Sequence, residues 1–329
     1  MRAARSFLTI GFAAASLAAA SVFTSQAGTA AEKYPTRPIH FIAAFPAGGA
    51  VDITARILAD WLSNDLGQQV IVENRAGSGG NIGAAAVINS PPDGYTILFD
   101  AANNTISASL YKKLPYDFLR DTAPVAGLML LTNIMVVPPS LPVKTVADFI
   151  ALAKAKPGEL SFASAGNGTS VHMSGELFKM MAGIDIIHVP YRGAAPAYPD
   201  LMTGKVHVLF DNLPGSIEFV RSGQLKALGV TVPQRWPGLP DIPAIAETIT
   251  GFEAAPWYGI SAPKGTPPEI VEILNKSIAG ALANPKMRAK LAELGGIPMP
   301  MSPAEFGKFL ADDTAKWAKV VKAANLSVE

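Results

Sequence analysis

Cysteine is absent from the 329-residue chain, which excludes a disulfide framework, a thiol nucleophile and thiolate metal sites. An excess of either charge is also lacking: 27 basic residues face 26 acidic ones, with no basic run, so nucleic acid and an anionic membrane are poor partners. No G-x-S-x-G elbow, H-E-x-x-H pair or G-x-x-x-x-G-K-[ST] loop occurs. Residues 77–82 and 166–171 approach a dinucleotide fingerprint, but both lack the third glycine that lets a helix pack closely, so no cofactor is expected. The four histidines, His40, His172, His188 and His207, are dispersed, and we read no carboxylate at ligand spacing beside them. Packed roles are expected for them, and no metal.

The first thirty residues carry the parts of a secretory signal. Arg2 and Arg5 form a basic start, residues 7–23 an alanine-rich apolar run, and residues 25–31 hold several small-x-small cleavage candidates. Ser16 and Ser21 interrupt the run, which falls short of the ~20 strongly apolar residues of a spanning helix. Export with cleavage of residues 1–31 is therefore expected, and the periplasm as destination. Losing Arg2 and Arg5 takes the net charge from +1 to −1. The remaining ~300 residues suit two domains.

Beyond Glu32 the periodicity alternates strand and helix, which predicts an α/β fold with mostly parallel sheets flanked by helices. Strands are expected at 39–44, 69–73, 95–99, 160–163, 186–189, 206–210 and 226–231. Helices are expected at 52–66, 81–89, 146–155, 169–181, 216–222, 267–283, 285–294 and 303–324, the last three each opening with proline, whose missing N–H is harmless there. The apolar stretch 130–137 and the proline-bracketed stretch 252–262 look like two crossings between lobes. They suggest one lobe of residues 32–133 plus 256–329 with residues 134–255 inserted as a second. Two consecutive domains split near Pro138 are the alternative.

Two glycine-rich turns join a strand to a helix: Phe45-Pro46-Ala47-Gly48-Gly49 and Ser164-Ala165-Gly166-Asn167-Gly168-Thr169. Glycine lets a backbone approach a ligand closely, and the free amides of a helix N-terminus favour an anion. Such paired turns suggest a two-lobed clamp for a carboxylate. Candidate contacts are Gly48, Gly49, Gly166, Gly168, Thr169 and Ser170, with one hydroxyl of the last two serving as a cap. Asp52 reads equally as a dipole partner and as an organiser of its turn. Asn103 and Asp211 follow strands at the carboxyl ends where open α/β sheets hold ligands. His172, in the first turn of its helix, is a further candidate. Arg192 suits a carboxylate, a tie between lobes or plain solvation, and Trp236 and Trp257 suit a pocket wall or interlobe packing.

These residues stand within ordered motifs that span essentially the whole mature chain. They are Tyr34-Pro35-Thr36-Arg37-Pro38-Ile39, the first turn with Asp52, Val72-Glu73-Asn74-Arg75-Ala76-Gly77-Ser78-Gly79-Gly80, Pro91-Pro92-Asp93-Gly94-Tyr95-Thr96, the second turn with His172, and Val189-Pro190-Tyr191-Arg192-Gly193. The chain resembles the substrate-binding receptors of tripartite tricarboxylate transporters, known as the Bug family. The resemblance implies a periplasmic-binding-protein-like pair of lobes joined by two crossing strands, closing on a small organic carboxylate through main-chain amides and bridging waters. It further implies a monomeric receptor that serves membrane transporter subunits and performs no catalysis. The alternatives are a secreted hydrolase using Ser170 and His172, and a sensor subunit of a membrane signalling system.

Overall fold

The computed structural model describes residues 34–323 and 326–328; the leader expected at 1–31 lies outside them. The chain runs β1 (Ile39–Ala43), α1 (Ala50–Leu66), β2 (Val70–Asn74), α2 (Asn81–Ile88), β3 (Thr96–Ala101), α3 (Asn103–Leu110), α4 (Phe118–Asp121) and β4 (Thr122–Leu131). It continues with β5 (Asn133–Val137), α5 (Val146–Ala155), β6 (Ser161–Ser164), α6 (Ser170–Ala182), β7 (Ile187–Pro190), α7 (Tyr198–Met202), β8 (Val208–Asn212), α8 (Leu213–Arg221) and β9 (Lys226–Val230). It then returns through β10 (Trp257–Pro263), α9 (Pro268–Ala283), α10 (Pro285–Glu293), β11 (Gly296–Pro298) and α11 (Pro303–Ala323).

Local chemistry explains the main elements. In α1 the buried Val51, Ala55, Leu58 and Leu62 recur at helical spacing, and Gly67 stops the helix in the left-handed region at φ 69°. A reciprocal capping box of Thr145 and Asp148 starts α5. Prolines open α9 and α10 where no donor is needed.

Two sheets form two lobes, ordered β11-β4-β10-β3-β1-β2 and β7-β6-β8-β5-β9. Both are mixed, which corrects the expected mostly parallel sheets. β1 pairs in parallel with β2 and β3, and β6 with β7 and β8. β4 and β10 run antiparallel to each other, and β5 runs antiparallel to both β8 and β9. The cause is the linkage between lobes: strands that carry the chain out of one sheet and back into it must run in opposite directions. The apolar stretch at 130–137 is the end of β4, the buried Thr132, and the whole of β5. Thr132 and Thr231 stitch this passage, with the Asn133 N–H donating to Thr231 Oγ1 and the Thr231 N–H to Thr132 Oγ1. On the return, the Ala254 N–H donates to the Thr231 carbonyl and the Leu131 N–H to the Pro256 carbonyl.

The core is continuous across the lobes. One apolar cluster joins Phe41, Val51 and Tyr258 to Val171, Leu213 and Ile217, and Met173 of α6 packs with Ile106 and Leu110 of α3. The lobes therefore meet in this structure. Among the described residues no helix is long and apolar enough to cross a membrane.

Candidate functional site

A cavity of about 440 Å³, its open mouth included, lies between the lobes at the carboxyl ends of β1, β3, β6 and β8. The first lobe lines it with Phe45, Pro46, Gly49, Ala50, Val51, Ala101 and Asn103; the second supplies Ala165, Thr169, Ser170, Val171, Ala194, Asp211 and Asn212. The two contributions match at an offset of 120 positions, as in Phe45 and Ala165, Ala50 and Ser170, Val51 and Val171.

The two turns use one device. The Gly48 N–H donates to Asp52 Oδ2 at 2.9 Å, and the Gly168 N–H donates to His172 Nδ1 at 3.2 Å, each pinning the amide four residues before the side chain. Both glycines need the left-handed region, with φ of 80° at each. Thr169 caps α6 by accepting the His172 N–H, and its hydroxyl donates to the Gly166 carbonyl. Among the described residues the amides of Gly49, Ala50, Val51 and Asp52 in one turn and of Ser170 and Val171 in the other have no protein partner. Of the positions that the sequence suggests, Gly49 and Ser170 keep free amides, whereas those of Gly48, Gly166 and Gly168 are taken by Asp52, Ser164 and His172.

Four helix N-termini converge here. Besides α1 and α6, the cavity meets α3 at Asn103 and α8 at its N-cap Asn212. Each presents the positive end of its dipole. No lysine, arginine or histidine lines the cavity among the described residues. The donors on offer are therefore backbone N–H groups and neutral side chains, a pattern suited to an anion that is gripped without ion pairing.

The predicted residues divide accordingly. Gly49, Asn103, Thr169, Ser170 and Asp211 line the cavity, whereas Gly48, Asp52, Gly166, Gly168 and His172 stand behind it or at the lobe contact. Asp52 is buried and binds Arg56 at 2.8 Å, the Gly48 N–H and the Asn74 amide. Burial would raise its carboxyl, but those partners outweigh burial and hold it below the ordinary range. Asp211 is fully buried and accepts from the Tyr198 and Ser216 hydroxyls. Burial pushes its carboxyl up to about 6, against those two donors. Asn103 donates to Asn104, which donates to the buried Asp100. Gly166 packs against Gly79 of the other lobe: a Cβ added at Gly166 would come within 3.3 Å of the Gly79 Cα.

Asn212, which the sequence offers only as Asp211's neighbour at the end of a strand, bridges much of this site. Its amide nitrogen donates to Ser170 Oγ at 3.1 Å and to Asn133, and its oxygen accepts from Tyr258 of β10 at 2.8 Å. The 120-residue offset was a readable signal for the pairing of the turns, since Gly48 to Asp52 and Gly168 to His172 share the same spacing. Trp236 and Trp257 lie away from the cavity; the Trp257 indole donates to Asp313 and packs on Phe306 and Phe309.

Ser170 and His172 form no catalytic pair. Ser170 Oγ accepts from Asn212, while His172 Nδ1 is taken by the Gly168 amide, and burial followed by the neighbouring His188 pushes the imidazole down to about 3. The reading of the histidines needs one correction: Glu176 sits one helical turn after His172, and their ligand atoms come within 4.8 Å of those of His188. The arrangement nevertheless opposes an ion. A neutral imidazole that accepts at Nδ1 carries its proton on Nε2 and offers no lone pair there. The two rings also stack, with centroids 4.2 Å apart, so their edges run side by side rather than converging.

Comparison with known proteins agrees with this geometry. The family model described as tripartite tricarboxylate transporter family receptor matches residues 54–326. Protein BugT of Bordetella pertussis is 38% identical over 93% of this chain and 96% of its own. The R. palustris protein Rpa4515, solved with adipate, superposes with a TM-score of 0.87 at 38% identity, covering 89% of this chain and 99% of that one. MatC from Rhodopseudomonas palustris, solved with malate, gives 0.83 at 29% identity over 88% and 100%. The chain is a solute-binding receptor rather than an enzyme, and it belongs to the tripartite tricarboxylate transporter receptor family.

Proposed function

We propose that this protein is an extracytoplasmic receptor that closes its lobes on a small organic carboxylate and delivers it to a tripartite tricarboxylate-type membrane transporter. The carrying observation is the cationless cavity into which the free first-turn amides of α1 and α6 open from opposite lobes. One carboxylate bridging both sets of amides binds the joined lobes better than the separated ones, and that difference in affinity drives closure. The apolar remainder, from Phe45, Val51, Ala101, Ala165 and Val171, suits a short aliphatic body. The ligands of Rpa4515 and MatC, adipate and malate, belong to this chemical class.

In this reading residues 32–133 and 256–329 form the first lobe and 134–255 the second, with residues 1–31 removed on export to the periplasm and the receptor acting as a monomer. Gly49, Asn103, Thr169, Ser170 and Asp211 contact the ligand or its waters, while Gly48, Asp52, Gly166, Gly168 and His172 shape the turns. Calorimetric titration of the mature chain with adipate, malate, citrate, aspartate and benzoate tests it. At least one carboxylate should bind at about micromolar Kd or tighter, and its uncharged amide should not. Equal binding of acid and amide, or no binding across the panel, contradicts the reading.

A further inference from the structure

Joining the lobes creates a second feature outside the ligand cavity. A surface pocket is lined by Ser78, Gly79, Tyr111 and Val328 from the first sheet's lobe and by Gly166, Asn167 and Tyr191 to Arg192 from the other. Neither lobe makes it alone. At its floor the two backbones approach closely: a Cβ placed on Gly79 would lie 2.1 Å from the Asn167 carbonyl oxygen, which also accepts the Tyr111 hydroxyl at 3.1 Å. On the far rim, Tyr191 is fixed by its hydroxyl donating to Asp200 at 2.8 Å. Gly193, next to Arg192, abuts Pro46 of the first turn, since a Cβ there would come within 2.3 Å of Pro46 Cδ. The contact that covers the ligand cavity therefore also sets Arg192 against the opposite lobe.

Arg192 is exposed and has no ion pair or hydrogen bond among the described residues. Lys113, two residues beyond Tyr111, is likewise exposed and unpaired among them. The contrast is another groove that spans both lobes, between Leu213, Trp236 and α10, where Arg221 is paired with Glu218 at 2.7 Å. A lone exposed guanidinium holds a free small anion weakly, because water screens such a pair and the side chain loses freedom in forming it. It gains when a partner brings further contacts and excludes solvent, here against the Tyr111 and Tyr191 rings.

We propose that this composite pocket is the docking point by which a membrane transporter reads the closed, loaded receptor, with an acidic side chain on an extracytoplasmic loop of the transporter seated on Arg192. The proposal rests on the receptor reading above. Because the pocket disappears when the lobes part, the empty receptor presents no complete docking surface, and docking stabilises closure reciprocally.

The test uses the mature receptor and a producing strain deleted for it, with adipate as probe. Adipate Kd is measured by calorimetry and labelled adipate uptake in the complemented strain. Arg192→Glu should leave Kd within about twofold while uptake falls by about tenfold or more, since a like charge meets the partner's acidic group. Arg192→Lys should recover part of the uptake, and Arg221→Glu in the other groove should take up adipate as the wild type does. Unchanged uptake by Arg192→Glu overturns the docking pocket. A Kd weakened in step with uptake overturns it too, because Arg192 would then serve the ligand. Wild-type receptor that binds no adipate contradicts the carboxylate reading for this probe, and the docking proposal falls with it.

Discussion

A methyl group at position 79 should hold the lobes apart without touching the ligand. In Gly79→Ala the new Cβ would lie 2.1 Å from the Asn167 carbonyl oxygen and 3.1 Å from the Tyr111 hydroxyl. Ordinary contact begins near 3.4 Å, so the backbones must separate by about 1.3 Å, and neither side is a flexible side chain that can swing away. Closure then loses the Tyr111–Asn167 hydrogen bond, about 1 kcal/mol, and incurs overpacking of about 1 to 2 kcal/mol. A closed state weakened by about 2 to 3 kcal/mol lowers affinity roughly 30- to 150-fold. Alanine at a φ of 61° is strained as well, but that cost of about 1 kcal/mol falls on open and closed states alike and cancels from binding. Gly183→Ala isolates it: φ there is 60°, with nothing within 4 Å of the added Cβ. Calorimetry and stopped-flow release of a bound carboxylate should show weak binding and fast release for Gly79→Ala and wild-type values for Gly183→Ala. Equal affinities for Gly79→Ala and wild type would refute the reasoning that closure runs through this contact.

Asp52→Ala leaves the Gly48 amide and Asn74 without their buried acceptor, and should cost about 1 to 3 kcal/mol in chemical denaturation; an unchanged midpoint would argue that the first turn holds itself. Among the described residues Asp100 accepts side-chain hydrogen bonds only from the neutral Ser261 and Asn104, and burial raises its carboxyl to about 7. An acid whose folded pKa is raised contributes stability fully present below its unfolded pKa near 4, and that contribution is lost as pH rises towards 7. Asp100→Asn should therefore gain in melting temperature relative to wild type between pH 5 and pH 8, and parallel melting curves would count against it. Long incubation of the receptor with adipate should return adipate unchanged by mass spectrometry, and turnover that vanishes in Ser170→Ala would reopen the hydrolase reading.

What was legible in the sequence was local. The apolar spacing and terminal glycine of α1 and the proline starts of the last helices follow from chemistry within a few residues. The two turns were visible because glycine at positive φ leaves few alternatives. Tertiary decisions were hidden. The stretch at 130–137 is uniformly apolar whether it forms one strand or two, and only the partners of β4 and β5 in different sheets divide it at Thr132. Gly48 and Gly168 attract attention as ligand contacts, yet their amides are spent on Asp52 and His172, which is decided by side-chain direction. Asn212 gains its role from Ser170, Asn133 and Tyr258, residues that the chain brings together from β5, α6 and β10.

The central claim is that one carboxylate is held by backbone amides from both lobes with no cationic side chain. A crystal structure of the mature receptor with the tightest-binding carboxylate of the panel tests it most directly. The carboxylate oxygens should lie within hydrogen-bond distance, directly or through one water, of an amide among Gly49 to Val51 and of one at Ser170 or Val171. A carboxylate paired with an arginine or lysine, or bound to one lobe alone, would contradict the account.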